Sequence, residues 1–262
     1  MSTTPPTWLT QRVRDSVATV TINHPPANAL TFQGLIELES TVDNLTNNNQ
    51  IKVVIITGAG RFFMAGADIR MLAEINSTEK GREMAQKGQG VFNNIEASRK
   101  PFIAALNGPC LGGGLELALC CHIRVAAEGI HLGQPEINLG IIPGFGGTQR
   151  LPRLIGKSKA TALILTGDPI SSQEAKTLGL VSQVFPPDDL LPQATELARQ
   201  IASKGQLAVQ AALQALQQGS ELRLRDALRL EANLFGDLCE SSDKQEGMAA
   251  FLEKRQPRFK DQ

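Results

Sequence analysis

Three segments carry residues whose types and spacing could do chemistry. In Asn107-Gly108-Pro109-Cys110-Leu111-Gly112-Gly113-Gly114-Leu115-Glu116-Leu117, glycines run from the strand-like stretch Phe102–Leu106 into Leu115–Cys121, which reads as a helix. A helix start presents unpaired N–H groups and a positive dipole end, and so stabilises an anion. Glu116 falls in the first turn, beside any group bound there. A surface carboxylate complementing the dipole is the alternative, but Leu115, Leu117, Ala118 and Leu119 around it argue against full solvation. The second segment, Phe62-Phe63-Met64-Ala65-Gly66-Ala67-Asp68-Ile69-Arg70, follows the strand-like Val53–Thr57. Its small residues allow a ligand close to backbone N–H groups, although a tight turn that merely packs has the same composition. In the third, Glu136 follows Leu132-Gly133-Gln134-Pro135, and the glycine-rich Ile142–Gly147 opens another helix carrying Arg150 and Arg153. Cations so early in a helix oppose its dipole unless paired, which makes them interface or ion-pair residues rather than catalytic ones.

Other chemistries are excluded by pattern. The glycine-rich stretch lacks the G-x-G-x-x-G spacing of a dinucleotide site. Gly156-Lys157-Ser158 resembles the end of a phosphate-binding loop, but the required earlier glycine is Leu151. Cys110, Cys120, Cys121 and Cys239 form no C-x-x-C and read as buried free thiols, consistent with a reducing compartment. His24, His122 and His131 sit apart and read as structural. No metal or redox cofactor is implied. Lys+Arg and Asp+Glu both number 26, so no global basic field advertises nucleic acid or an anionic membrane. Lys80, Arg82 and Lys87 make only a thin basic stretch, interrupted by Glu79 and Glu83. No apolar run is long enough to span a bilayer, and the amino terminus lacks the basic-then-apolar pattern of a signal peptide, so a cytoplasmic protein is expected.

These segments must be positioned by a scaffold. Strands are expected at Val17–Ile22, Val53–Thr57, Phe102–Leu106, Ile123–Ala126 and Leu180–Phe185. The second and third are nearly all apolar, as strands covered on both faces are. In Thr31–Asn47, Leu35, Leu38, Val42 and Leu45 form a helical stripe, and Ser171-x-x-Glu174 is a capping box opening a helix that stops at Gly179. Alternating strands and helices give an α/β fold. After Pro186-Pro187-Asp188-Asp189 the pattern is helical, which divides the 262 residues into an α/β core at 1–190 and a helical appendage at 191–262.

In this order and spacing, from Pro26-Ala27-Asn28-Ala29-Leu30 to Gly247–Arg255, the segments resemble the crotonase, or enoyl-CoA hydratase/isomerase, superfamily. The resemblance covers nearly the whole chain. It implies a spiral of repeated β-β-α units with a C-terminal helical appendage for trimerisation and CoA capping. It implies an acyl-CoA substrate and a homo-oligomer, a trimer or dimer of trimers. By position, Ala67 and Gly113 match the two amides of the oxyanion hole. Glu116 and Glu136 match the acid/base pair of hydratases that add water across a 2-enoyl thioester. Gly144 matches the glycine facing the reacting thioester, and Ala65–Ile69, with Asp68 between, match the loop that holds the CoA adenine. Arg70 is a candidate for the CoA phosphates. Phe251 and Lys254 match CoA contacts made from a neighbouring subunit, although a solvated helix lysine is an equal reading of Lys254. The presence of both glutamates favours hydration over double-bond isomerisation. RNA binding, which one branch of the family suggests, lacks its basic stripe here.

Overall fold

A computed structural model of the protein describes residues 7–262; the first six residues, part of the stretch weighed above for a signal peptide, lie outside it. The chain begins with β1 (Leu9–Arg14), β2 (Val17–Ile22), α1 (Phe32–Asn47) and β3 (Val53–Gly58). There follow α2 (Ile69–Ala73), α3 (Thr78–Glu96), β4 (Phe102–Leu106), β5 (Cys110–Leu111), α4 (Gly113–Cys120), β6 (Ile123–Ala127) and β7 (His131–Gly133). A 3-10 turn at Pro135–Leu139 leads to α5 (Gly147–Ile155), α6 (Lys157–Thr166), β8 (Ile170–Ser171), α7 (Ser172–Thr177) and β9 (Gln183–Phe185). Four helices complete the chain: α8 (Pro187–Ala202), α9 (Gln206–Ser220), α10 (Leu224–Cys239) and α11 (Ser242–Leu252).

Two sheets organise these elements. The larger has the order β1-β2-β3-β4-β6-β9, parallel from β2 onward, with Val17 opposite Val53, Val54 opposite Phe102 and Ile103 opposite Ile123. The smaller has the order β5-β7-β8. The chain alternates between them: β4 to β5 and through α4 to β6, then β6 to β7. From β4 onward the chain adds strands to both sheets in turn. Its α/β fold is that of the superfamily named by the resemblance. All positions of β3 and β4 are buried, so those strands have no wet side. One cover is α8, which packs on β3, β4 and β6 through Leu190, Ala194 and Ala198. The position-190 division falls inside this helix. Farther on, α9 packs against α10, and the buried Asp243 carboxylate ties α11 to the tail by accepting from the Lys260 and Asp261 amides.

Some elements differ from expectation. β1 pairs antiparallel with β2 along its whole length but buries only Leu9, so its sequence carries no core signal. The strand expected at Leu180–Phe185 is confined to Gln183–Phe185, because the Leu180 and Val181 amides both donate to the Ala175 carbonyl and close α7. Cys110, Cys120 and Cys121 are buried free thiols, but Cys239 is exposed at the end of α10. Arg124 is buried, with Nε donating to the Leu180 carbonyl at 2.8 Å and Nη1 to the carbonyls of Ala118 and Cys121, so a cation complements the C-terminal end of α4.

Asn28 fixes the loop that reaches the site. It is buried, its Oδ1 accepts from the His24 amide at 2.9 Å, and its Nδ2 donates to the carbonyls of Ala59 at 3.0 Å and Phe62 at 2.8 Å. Asn28→Ala strands those groups without water. The expected cost is about 2 kcal/mol, read as a lower midpoint in chemical denaturation.

Candidate active site

The start of α4 is shaped by close backbone approach. Gly112 has φ +52°, where L side chains are rare, and a Cβ there would lie 2.8 Å from Oε1 of Glu136. At Gly114 a Cβ would lie 2.3 Å from the Met64 carbonyl oxygen. Without side chains at these positions, the 62–68 segment lies directly on the helix start, where the Leu111 amide donates to the Met64 carbonyl at 3.0 Å. The same segment pairs with Leu30: the Leu30 amide donates to the Gly66 carbonyl at 2.8 Å and the Asp68 amide to the Leu30 carbonyl at 2.9 Å. That register turns the intervening Ala67 amide away from Leu30. Gly113, as the first helical residue, has no intrahelical acceptor for its own amide. Among the described residues neither amide is paired, and a Cβ built on Gly113 would be 3.6 Å from the Ala67 nitrogen. Two free donors therefore lie side by side.

Glu116 is 2% exposed. Its Oε1 accepts from the Phe145 amide at 2.7 Å and the Gly147 amide at 2.8 Å. Burial raises its pKa, while these two amides, with Arg150 nearby, favour the ionised form. The loop supplying the amides is held by α3. Gln89 donates to the Gly144 carbonyl at 2.9 Å, and the Phe145 ring meets Phe92 edge-on at 5.6 Å. Arg150 donates to the Phe145 carbonyl at 3.0 Å and pairs with Glu96 at 2.7 Å, so this early-helix cation is a paired one.

Glu136 sits in the 3-10 turn. Burial pushes its pKa up to about 7; its own backbone amide opposes the shift, and the Glu116 charge adds to it. Gln134 is the functional residue that sequence reasoning missed. It is fully buried, and with its amide nitrogen turned to Glu136 it donates to Oε2 at 3.0 Å and Oε1 at 3.1 Å. Its two-residue spacing from Glu136 at the end of β7 was the only sequence signal available.

Ala67, Gly113, Glu116, Glu136 and Gly144 line one cavity of about 420 Å³, joined by Ile69. A larger cleft of about 740 Å³ lies between α5 and α9 and contains neither glutamate nor either free amide. The geometry favours the smaller cavity as the reacting site. Other expected residues lie outside it. Ala65 and Arg70 do not line it. Asp68 caps α2, its Oδ1 accepting from the Arg70 amide at 2.7 Å and the Met71 amide at 3.4 Å. Phe251 and Lys254 are exposed at the end of α11 and are not brought to the cavity within one chain. No group of His, Cys, Asp and Glu with metal-site geometry occurs among the described residues. Nor is any helix there long and apolar enough to cross a membrane. His122 is structural: Nδ1 accepts from the Phe102 amide at 2.9 Å, and burial pushes its pKa down to about 4.

Replacing Gln134 removes donors that favour the Glu136 carboxylate. Gln134→Met is therefore expected to move the Glu136 carboxyl titration upward from about 7, followed by carbon-13 NMR of labelled glutamate. An unmoved or lowered midpoint would contradict the contact.

Comparison with known proteins points the same way as this geometry. The sequence profile of the enoyl-CoA hydratase/isomerase family matches residues 12–262. The chain is 47% identical over 245 residues, 93% of this chain and 95% of the relative, to a probable enoyl-CoA hydratase of Bacillus subtilis. It is 46% identical over 247 residues, 94% of this chain and 95% of the relative, to a crotonyl-CoA hydratase of Syntrophomonas wolfei. The crystal structure of an enoyl-CoA hydratase from Bacillus anthracis superposes with a TM-score of 0.94 at 40% identity, covering 97% of this chain and all of that one. The fold, the paired glutamates and these relatives together place the protein in the enoyl-CoA hydratase/isomerase family.

Proposed function

We propose that the protein adds water reversibly across the 2,3 double bond of a 2-enoyl-CoA to give the 3-hydroxyacyl-CoA. The observation that carries this reading is the meeting of two carboxyl groups and two unpaired amides in one apolar cavity. A conjugated thioester is attacked at C3, and charge moves through C2 onto the thioester oxygen. The Ala67 and Gly113 amides donate to that oxygen as an oxyanion hole, where one donor typically contributes about 10²–10³ in rate. Glu116, favoured as an anion by the Phe145 and Gly147 amides, takes a proton from the attacking water. Glu136, which holds a proton up to about pH 7, delivers it to C2. One oxygen and one hydrogen reach C3, a second hydrogen reaches C2, and proton exchange through solvent restores the pair. These steps are addition and proton transfer, so the proposal includes no metal or redox cofactor.

CoA itself is proposed to lie along the 65–70 segment, with Arg70 near its phosphates and Gly144 facing the thioester. Phe251 and Lys254 would reach it from a neighbouring subunit. An oligomer, a trimer or dimer of trimers, is supported by the exposed apolar side chains Leu224, Leu228 and Phe235 on α10 and Met248, Phe251 and Leu252 on α11.

Purified protein is expected to deplete crotonoyl-CoA absorbance and yield 3-hydroxybutyryl-CoA. Glu116→Gln and Glu136→Gln should each lower kcat by about 10²–10⁴. The hydration rate should fall as pH rises through about 7, because Glu136 loses the proton it must donate. A folded oligomer inert toward 2-enoyl thioesters, or one that only migrates the double bond of 3-enoyl-CoA, contradicts the proposal. Light scattering should give three or six times the chain mass of 28.1 kDa; a monomer contradicts the assembly.

A further inference from the structure

The walls of the cavity carry more information than its catalytic end. Among the described residues the two glutamates are the only titratable groups lining it. The rest of the lining is apolar side chain or glycine, with Leu72 of α2 and Met84 of α3 on one wall. Leu139, Ile141 and Ile142 face them from the segment after the 3-10 turn, with Phe145 beside them. Among the described residues no lysine, arginine, histidine, hydroxyl or amide side chain lines this space. The cavity is also roomy for a small acyl group. At roughly 30 Å³ per water-sized group, a four-carbon chain with its thioester oxygen and sulfur takes up about 180 Å³, against a volume of about 420 Å³.

Resting on the hydratase reading, we propose that this cavity selects uncharged aliphatic 2-enoyl chains longer than four carbons and rejects chains that end in a carboxylate. The physical grounds are direct. A terminal carboxylate among these side chains gives up part of its water without gaining a donor or a cation. It also enters a space whose only charged groups are carboxyls of its own sign, one of them already raised to about 7 by burial and by the charge of the other. An uncharged tail meets side chains that have no competing partner, and each buried methylene favours binding by roughly fourfold. Met84 is half-buried on this wall, where a longer cationic side chain could reach the cavity with its stem packed on neighbours.

The test is a kcat/KM series at pH 7.5 with 2-butenoyl-, 2-hexenoyl- and 2-octenoyl-CoA, together with the six-carbon thioester ending in a carboxylate, 2,3-dehydroadipyl-CoA. The expected result is that 2-hexenoyl-CoA is hydrated at least as well as 2-butenoyl-CoA and at least ~10-fold better than 2,3-dehydroadipyl-CoA. In Met84→Lys that ratio should narrow at least ~5-fold, while Met84→Leu, a control for folding, keeps it. Equal hydration of the charged and uncharged six-carbon substrates, or a steep fall from four carbons to six, overturns the inference and leaves the hydratase reading standing. A folded Met84→Lys protein with an unchanged ratio overturns it as well. Inertness toward all four thioesters overturns the hydratase reading and the inference with it.

Discussion

The structure depends on one buried carboxylate and the two backbone amides that hold it. Glu116 emerges from the first turn of α4 into a nearly dry site, where an unpartnered charge would be strongly disfavoured. The amides of Phe145 and Gly147 satisfy it, so the loop before α5 is bound to the start of α4. That loop cannot drift, because Gln89, Phe92 and the Arg150–Glu96 pair fasten it to α3. The glycines around Gly112 then become necessities: backbone must pass where side chains would collide with Glu136 and with the Met64 carbonyl. The free amides of Ala67 and Gly113, set by the Leu30 register and by the helix start, then lie side by side.

The two carboxyl groups are similar in type but not in surroundings. Glu116 accepts from fixed backbone donors, which favour its anion. Glu136 is pushed up to about 7 by burial and by the charge of Glu116, while the Gln134 amide favours its carboxylate. Environments that separate two carboxyls in this way suit one to remove a proton and the other to deliver one. The division of labour proposed above therefore rests on the surroundings of each carboxyl, with no difference in residue type needed.

Much of this was legible in the sequence where local chemistry is strong. Gly112–Gly114 before an apolar helix marked the anion-binding start of α4, and the leucines flanking Glu116 marked its burial. The nearly all-apolar β3 and β4 announced strands with no wet face. What escaped detection depends on tertiary context. β1 is an edge strand whose polar outward residues follow no core pattern. Leu180 and Val181 have strand-like side chains, but their amides belong to the end of α7. Asp68, expected at the ligand by position, is engaged in capping α2. Gln134 gained its role only when the turn after β7 brought Glu136 back beside it. Cys239 lies on a helix with no buried residue, so the usual burial of free cysteine fails there.

The central claim is that a thioester oxygen is received between the Ala67 and Gly113 amides with its C2 and C3 carbons between the two carboxyl groups. A crystal structure of the protein with 3-hydroxybutyryl-CoA tests it most directly. The account predicts both amide nitrogens about 2.7–3.1 Å from the thioester oxygen, with the 3-hydroxyl in hydrogen-bond contact with Glu116. A thioester bound elsewhere, or an oxygen that meets neither amide while the acyl group fills the cavity, would contradict it.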